Sequence, residues 1–238
     1  MPTKRNQIKS VPLNELAYQK IKELVVTLKL APGQQIDEEQ MAKILSIGRT
    51  PIREALFRLN AENLVEVFPG RGFFVLEITL SNLKDLFETM LILERSAVAL
   101  ASRRIQTDQI ENLQKLNNDL HRAWQAKHFL KVTLLNSQFH RIIYKAAENI
   151  FLFSYLDNMQ NQTQRLAYMC FSKDVSAYDL ESHARRAVDD HQALIDLLGQ
   201  GEELGAVKVI TEHVKLFQRR VNHFLLPSLD SLDHVAQL

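Results

Sequence analysis

The sequence predicts a mostly α-helical protein with a small β-hairpin near residue 70 and a long antiparallel helical bundle behind it. Glycine and proline are frequent up to Gly72, but neither occurs between Phe73 and Leu198, so this segment is expected to be helical. Before Phe73, apolar residues recur first at helical spacing and then alternate as in strands. A chain of 238 residues with 46% hydrophobic residues can form two separate cores.

The composition excludes several classes of protein. The formal net charge is +1, so a nucleic-acid partner would need a local basic patch. The single cysteine, Cys170, cannot form an intrachain disulfide and is typical of a reducing compartment. No window approaches the ~18 apolar residues of a membrane span. We therefore expect a cytoplasmic protein without membrane contact and with a disordered arm over residues 1–10.

Residues 11–78 are predicted to form the first domain, which begins with an amphipathic helix. Its apolar residues follow helical spacing over Leu13–Leu28, and the turn at Ala31–Ile36 ends it. The carboxylates of Asp37-Glu38-Glu39 suit the first turn of a second helix. After a short turn, Pro51 is placed where a third helix tolerates proline. This pattern predicts a helix-turn-helix.

The segment after the third helix predicts a hairpin wing. It alternates like two strands around the turn Pro69–Gly72. Arg49 and Arg53 lie four residues apart on one face at the start of the third helix, which could be an ordinary solvated face. In a winged helix-turn-helix, that helix N-terminus can direct both arginines at guanine edges and phosphates in a major groove. Arg71, at the wing tip, can reach a phosphate or the minor groove, so the predicted partner is double-stranded DNA.

The run from Ile44 to Val65, ILSIGRTPIREALFRLNAENLV, resembles the DNA-binding domain of GntR-family bacterial transcription regulators. The resemblance extends over residues 13–76. The family pattern is approximately LGVSRTPVREAL-x-RL followed by EGLV, whereas this chain has Ser46 and Asn63 in place of glycines and Gly48 in place of serine. The resemblance implies that Arg49 and Arg53 read bases, that Thr50 and Arg58 contact phosphates, and that Arg71 is the wing contact.

Residues 79–226 are predicted to form an all-helical domain for effector binding and dimerisation, followed by a tail over residues 227–238. Asn136 and His140 lie four residues apart and share one helix face, where an amide oxygen and an imidazole can bind one metal ion. His191 and His213 lie on either side of the break Gly199-Gln200-Gly201, at similar levels of an antiparallel hairpin. The other five histidines show no ligand spacing and are expected to be structural or exposed.

This second domain resembles, over about residues 82–222, the FCD branch of the GntR family. The stretches FHRIIYKAAEN, DDHQALIDLL and GEELGAVKVITEH carry the resemblance. It implies a divalent metal ion, zinc or nickel, bound by Asn136, His140, His191 and His213, with an open position for a carboxylate effector. Asn136 replaces the family's usual aspartate, which lowers the charge of the site. By the same resemblance, Met90 replaces an arginine that approaches the effector in relatives, and Arg141 and Arg165 are candidates for that role.

The sequence thus predicts a homodimeric transcription regulator, most simply a repressor, and not an enzyme. Dimerisation is expected because helix-turn-helix dimers read paired half-sites. Three alternatives remain open: a purely structural metal, a pocket that has lost its metal through Asn136, and a metal-dependent hydrolase using metal-bound water.

Overall fold

The computed structural model describes residues 11–172 and 177–225, which are largely helical. The predicted class, mostly α with a small β wing, is confirmed. The chain divides into two compact units between Glu77 and Ile78, beside the predicted domain boundary. The predicted arm (residues 1–10) and tail (residues 227–238) lie outside the described residues. None of the described helices is long and apolar enough to cross a membrane.

The first unit, called the head below, is built on three helices in its described part: α1 (Leu13–Val26), α2 (Glu38–Leu45) and α3 (Arg49–Ala61). The side chain of Asp37 caps α2, accepting bonds from the backbone N–H groups of Glu39 (2.8 Å) and Gln40 (3.1 Å). Ile52 and Leu56 of α3 are fully buried in the head's core, and α3 packs against α1. The opposite face of α3 therefore remains exposed.

The turn between α2 and α3 reverses the chain over three residues. Ser46 ends α2 in the left-handed region with φ +54°, where an L side chain is strained. Ile47 buries its side chain in the head's core. Gly48 precedes α3 in an extended conformation and offers no side-chain cap. These three residues determine how α3 projects from the head.

The head also contains an antiparallel sheet with the strand order β1-β3-β2. Its strands are β1 (Gln35–Ile36), β2 (Val65–Phe68) and β3 (Gly72–Val75). The hairpin β2–β3 is the predicted wing, but β1 was expected to be only part of a turn. Gln35 and Ile36 form a strand because they pair with Phe74 and Phe73 of β3. This pairing is long-range, so local sequence patterns do not indicate it.

The second unit, called the bundle below, is helical throughout its described part. Its helices are α4 (Leu80–Ala101), α5 (Thr107–Gln125), α6 (Phe129–Ala146), α7 (Ile150–Ser172), α8 (Ala177–Gln200) and α9 (Glu203–Leu225). The turns before α6 and α7 contain no glycine; instead Lys127 and Glu148 take φ +56° and φ +48°. Helix α6 packs against α4, α5 and α7, while α9 packs against α4, α7 and α8. This arrangement brings α4, α6, α8 and α9 together around one interior region.

Candidate DNA-binding surface and metal centre

The head presents three exposed arginines at the start of α3 and on the wing. Arg49, Thr50, Arg53 and Arg71 line one shallow concavity of the head. The side chains of Arg49 and Arg53 are about two-thirds exposed, at 66% and 64%. The buried side of α3 fixes the helix, so both guanidinium groups extend from a rigid base. Four of the five residues predicted to contact DNA therefore share one surface.

Four acidic residues, Asp37, Glu38, Glu39 and Glu54, also line this concavity, and two of them pair with its arginines. Glu39 forms an ion pair with Arg49, and Glu38 Oε1 lies 3.7 Å from Arg53 Nε. The sequence suggested only that these carboxylates favour the start of α2. Their ion pairs with α3 mean that both arginines already have an anionic partner within the head.

The wing tip is held by cation–π contacts and by a hydrogen bond from β1. The Arg71 guanidinium lies over the rings of Phe68 (5.7 Å) and Phe74 (5.4 Å). Gln35 of β1 donates a 2.7 Å hydrogen bond from Nε2 to the Arg71 carbonyl oxygen. Gly70 adopts φ +74°, which permits the tight hairpin. These contacts position an exposed cation at the tip.

Arg58 lies elsewhere on the head. Its guanidinium is 3.5 Å from the centroid of the Tyr18 ring, and its Nη1 is 2.7 Å from Glu15 Oε2. Its Nε is 3.4 Å from Glu62 Oε1. The Arg58 hydrogen bond lowers the pKa of the Glu15 carboxyl. Arg58 thus joins α3 to α1 and is not among the residues that line the concavity with Arg49 and Arg53.

Three histidines meet inside the bundle. His140 of α6, His191 of α8 and His213 of α9 each place one possible ligand atom within 4.8 Å of those of the others. Their ring centroids are 4.9 to 5.4 Å apart. All three are buried, with exposures of 2%, 0% and 8% respectively. The structure therefore brings together the three histidines that the sequence had selected.

Burial favours the neutral form of the His191 and His213 imidazoles. It lowers the pKa of His191 well below the usual value, and the neighbouring His213 and His140 add to this effect. The pKa of His213 is also lowered by burial, although Asp190 opposes the shift. Neutral imidazole is the form that binds metal ions. His191 and His213 are therefore available as metal ligands at neutral pH.

His191 provides a direct test of whether a metal would fit. Neither of its ring nitrogens has a hydrogen-bond partner, although the residue is fully buried. One face of the ring stacks on Phe139, with the centroids 3.9 Å apart. A buried polar nitrogen without a partner is unfavourable, whereas a metal ion in the cluster would satisfy one of the two. The donor set of three imidazoles fits zinc or nickel.

Two buried carboxylates, which the sequence analysis did not select, adjoin this cluster. Glu94 Oε1 of α4 is 3.6 Å from His140 Nδ1, and Asp190 Oδ2 is 3.4 Å from His213 Nδ1. Asp190 had one signal in the sequence, its position directly before His191. Glu94 had one signal, a charged residue inside the apolar stripe of α4.

A largely apolar cavity opens beside the histidines, with a volume of about 70 Å³. Asn136 lines it together with His140 and His213, so the predicted fourth ligand shares this space. Trp124 and Phe171 supply aromatic walls. The volume is below the ~300–1,000 Å³ typical of drug-sized ligands, which favours a small molecule.

Of the three residues considered for effector contact, one lines the cavity and two do not. Met90 lines the cavity. Arg141 forms an ion pair with Asp157, and Arg165 is buried and donates a 2.9 Å hydrogen bond to Gln162. Neither arginine is among the described lining residues. His183, expected to be structural or exposed, also lines the cavity and is a residue that the sequence analysis missed.

Comparison with known families assigns both units. The family described as "Bacterial regulatory proteins, gntR family" matches residues 13–75. The family described as "FCD domain" matches residues 85–216. The two matches correspond to the head and to most of the bundle.

The individual proteins to which the chain is similar are transcription regulators as well. The chain is 21% identical over 209 residues to an uncharacterized HTH-type transcriptional regulator, YdhC, of Bacillus subtilis, covering 87% of this chain and 90% of YdhC. It is 21% identical over 204 residues to the HTH-type transcriptional repressor RspR of Escherichia coli, covering 86% of each. Over 119 residues, 49% of this chain and 55% of the relative, it is 35% identical to the Nta operon transcriptional regulator of Aminobacter aminovorans.

A solved structure shares the fold. Escherichia coli McbR/YncC has a TM-score of 0.75 and 22% identity, covering 90% of this chain and 98% of that one. At this identity the likeness concerns the fold alone. The families and the relatives are transcription regulators and not enzymes, which removes the hydrolase alternative.

Proposed function

The chain belongs to the GntR family of bacterial transcription regulators and carries an FCD domain, and from this premise we propose that it is a repressor controlled by a small carboxylate bound at a metal ion. The observation that carries the proposal is the buried cluster of His140, His191 and His213 beside a cavity. In this proposal the head binds DNA and the bundle binds the effector, so one chain contains both the DNA-binding and the sensing function. A regulator of DNA acts in the cytoplasm.

In the proposed complex, Arg49 and Arg53 read bases in a major groove. Thr50 contacts a phosphate, and Arg71 contacts the minor groove or a phosphate beside it. The shared concavity supports this assignment for these four residues. Arg58 was predicted to contact a phosphate as well, but its contacts with Glu15 and Tyr18 support a structural role more directly.

Replacement of Arg53 tests the DNA surface. Arg53→Ala is expected to weaken operator binding by roughly 1–3 kcal/mol and to relax the preference at one base position, because a bidentate base contact is lost. Arg103→Ala, an exposed arginine of the bundle, is the matched control and should bind as wild type does. The measurement is fluorescence anisotropy on a selected operator at fixed salt. Wild-type affinity and selectivity for Arg53→Ala would mean that α3 is not the reading helix.

In the bundle, the proposed ligands are His140, His191, His213 and Asn136. A bound zinc or nickel ion would supply a positive charge that attracts a carboxylate. The protein's own part is to hold three neutral imidazoles in place, to present the Asn136 amide at the cavity and to exclude water with apolar walls. The lining favours a carboxylate whose remaining part is small and uncharged, because the described lining residues include no lysine or arginine.

Control of DNA binding follows from population shift. The effector must bind one arrangement of the two heads of a homodimer better than the other, since equal affinity would change nothing. Repression is then relieved when the effector favours the arrangement that does not match the paired half-sites.

Metal analysis tests the input site. Purified wild-type protein is expected to contain close to one divalent ion per chain, and His191→Ala and His213→Ala are expected to lose it because each removes an imidazole ligand. His121→Ala, on the exposed side of α5, is the control and should retain the ion. If wild type neither contains nor takes up zinc or nickel, the metal-free alternative is correct. If metal binds but no carboxylate alters operator affinity, the structural-metal alternative is correct.

A further inference from the structure

We propose that Glu94 supplies the site with the negative charge that Asn136 does not, by positioning and polarising His140 through its Nδ1 atom. This inference rests on the metal site proposed above. Glu94 is therefore a positioning residue that acts through His140, and the ion itself is held by His140, His191, His213 and Asn136.

The first support is where Glu94 lies. It is fully buried on α4, and its Oε1 is 3.6 Å from His140 Nδ1 on the neighbouring helix α6. Its second oxygen, Oε2, has no hydrogen-bond partner. A buried carboxylate is costly unless an interaction compensates it, so its presence beside a histidine cluster requires an explanation.

The second support is a polar network that holds the carboxylate in place. The Tyr144 hydroxyl donates to Glu94 Oε1. Gln160 Nε2 donates to the Tyr144 oxygen at 2.5 Å, and Ser137 donates to Gln160 Oε1 at 2.8 Å. Burial, followed by the charge of Glu94, raises the pKa of Tyr144 well above its usual value, so its proton stays available for donation. Residues of α4, α6 and α7 thus fix one carboxylate oxygen toward His140.

The third support is the orientation of the two rings. Nδ1 of His140 faces Glu94, and Nδ1 of His213 faces Asp190 at 3.4 Å. Neither Nδ1 atom forms a hydrogen bond within the described part of the chain, so both contacts are close approaches to a carboxylate, and we assign Nε2 of both residues to the metal. A metal on Nε2 leaves the proton on Nδ1, where a carboxylate can accept it. Such a carboxylate fixes the tautomer of the imidazole and increases its basicity.

These observations account for how a donor set of three imidazoles and an amide, which carries no charge of its own, has negative charge beside it. Asn136 contributes an oxygen without charge. Glu94 returns negative charge to the same region through His140, whereas Asp190 acts in the same way on His213. The site therefore has two carboxylate–histidine pairs around the proposed ion.

The affinity of the full-length protein for Zn²⁺, measured by chelator competition, tests the role of Glu94. Glu94→Gln keeps the size of the side chain and removes its charge, and we expect a 10- to 100-fold weaker affinity. Glu88→Gln, the same change at an exposed position of α4, is the control and should have no effect. Circular dichroism of both metal-free variants checks that the bundle remains folded.

Three double variants separate a positioning role from a merely structural one. In a His140→Ala background, Glu94→Gln should cause no further loss of affinity, whereas Asp190→Asn still should. Asn136→Asp should restore most of the affinity that Glu94→Gln removes, because it returns a carboxylate to the donor set. Full additivity with His140→Ala, or no rescue by Asn136→Asp, would overturn the inference.

The result for wild type distinguishes the two levels of proposal. If wild type binds Zn²⁺ and Glu94→Gln binds it equally well, only the inference about Glu94 is wrong. If wild type binds no Zn²⁺ or Ni²⁺, the proposed metal site is wrong and the inference falls with it.

Discussion

At the scale of single residues, the buried histidines carry the chemistry of the bundle. Spacing together with the resemblance to the FCD branch was sufficient to select His140, His191 and His213, because each lies in a stretch that carries the resemblance. Their carboxylate partners were not found. Glu94 and His140 lie on different helices, and no pattern within one helix reports which residues of another helix will face it.

The depressed pKa of His191 leads to a prediction about acid stability. Without metal, the folded state resists protonation of this imidazole, whereas the unfolded chain protonates it near its usual pKa of ~6.5. The contribution of neutral His191 to the free energy of unfolding is therefore complete above pH ~6.5. It is lost as the pH falls toward the folded-state pKa, by up to about 1.4 kcal/mol per pH unit.

Chemical denaturation of the metal-free protein between pH 7.5 and 5 measures this loss. His191→Gln should show a shallower decrease of stability with falling pH than wild type, whatever its stability at pH 7.5. His121→Gln, at an exposed position of α5, should keep the wild-type slope. An unchanged slope in His191→Gln would contradict the prediction.

At the scale of elements, the turn of the helix-turn-helix explains two departures from the family pattern. Ser46 occupies a left-handed position that suits glycine, and Asn63, the other replacement of a family glycine, also has a positive φ of +56°. Gly48 has a φ of −61°, which any residue can adopt. A Cβ at Gly48 would meet only Pro51 Cδ at 3.8 Å, an ordinary contact. Relative to the family pattern, glycine and serine are thus exchanged between positions 46 and 48.

Exchanging these two residues should stabilise the head. Ser46→Gly relieves a left-handed side chain and is expected to contribute about 1 kcal/mol. Gly48→Ser adds an N-cap oxygen for α3 and is expected to contribute a few tenths of a kcal/mol. Thermal unfolding of each variant measures both effects. Gly70→Ser, at φ +74°, is the opposite control and should destabilise the head; a destabilised Ser46→Gly would show that φ is not the controlling factor.

The elements themselves were largely predictable from the sequence. The acidic run Asp37–Glu39, the proline at position 51 and the glycines of the wing are local signals, and each marks a helix or hairpin that the structure contains. The strand β1 was not predictable, because two residues acquire strand geometry only by pairing with β3. The breaks before α6 and α7 were also hidden, since Lys127 and Glu148 replace the glycines that usually mark such turns.

At the scale of the whole molecule, the division into head and bundle predicts that metal stabilises only one unit. A ligand that binds only the folded form stabilises it by about 2.7 kcal/mol at 100 times its dissociation constant. Hydrogen exchange with and without Zn²⁺ should therefore show slower exchange in α6, α8 and α9, with no change in α1 and α3. His191→Ala should abolish the effect. Equal protection of the head would place the metal, or its coupling, outside the bundle.

The carboxylates of Glu38 and Glu39 have a consequence for how the protein finds its target on a chromosome. If Arg49 and Arg53 contact DNA as proposed, each must exchange a carboxylate partner for DNA, so random sequences, which offer mainly phosphate contacts, compensate little for the lost ion pairs. An operator adds base contacts that compensate for it. We expect short residence on random DNA and long residence at the operator, so that copies of the protein are not sequestered along the genome.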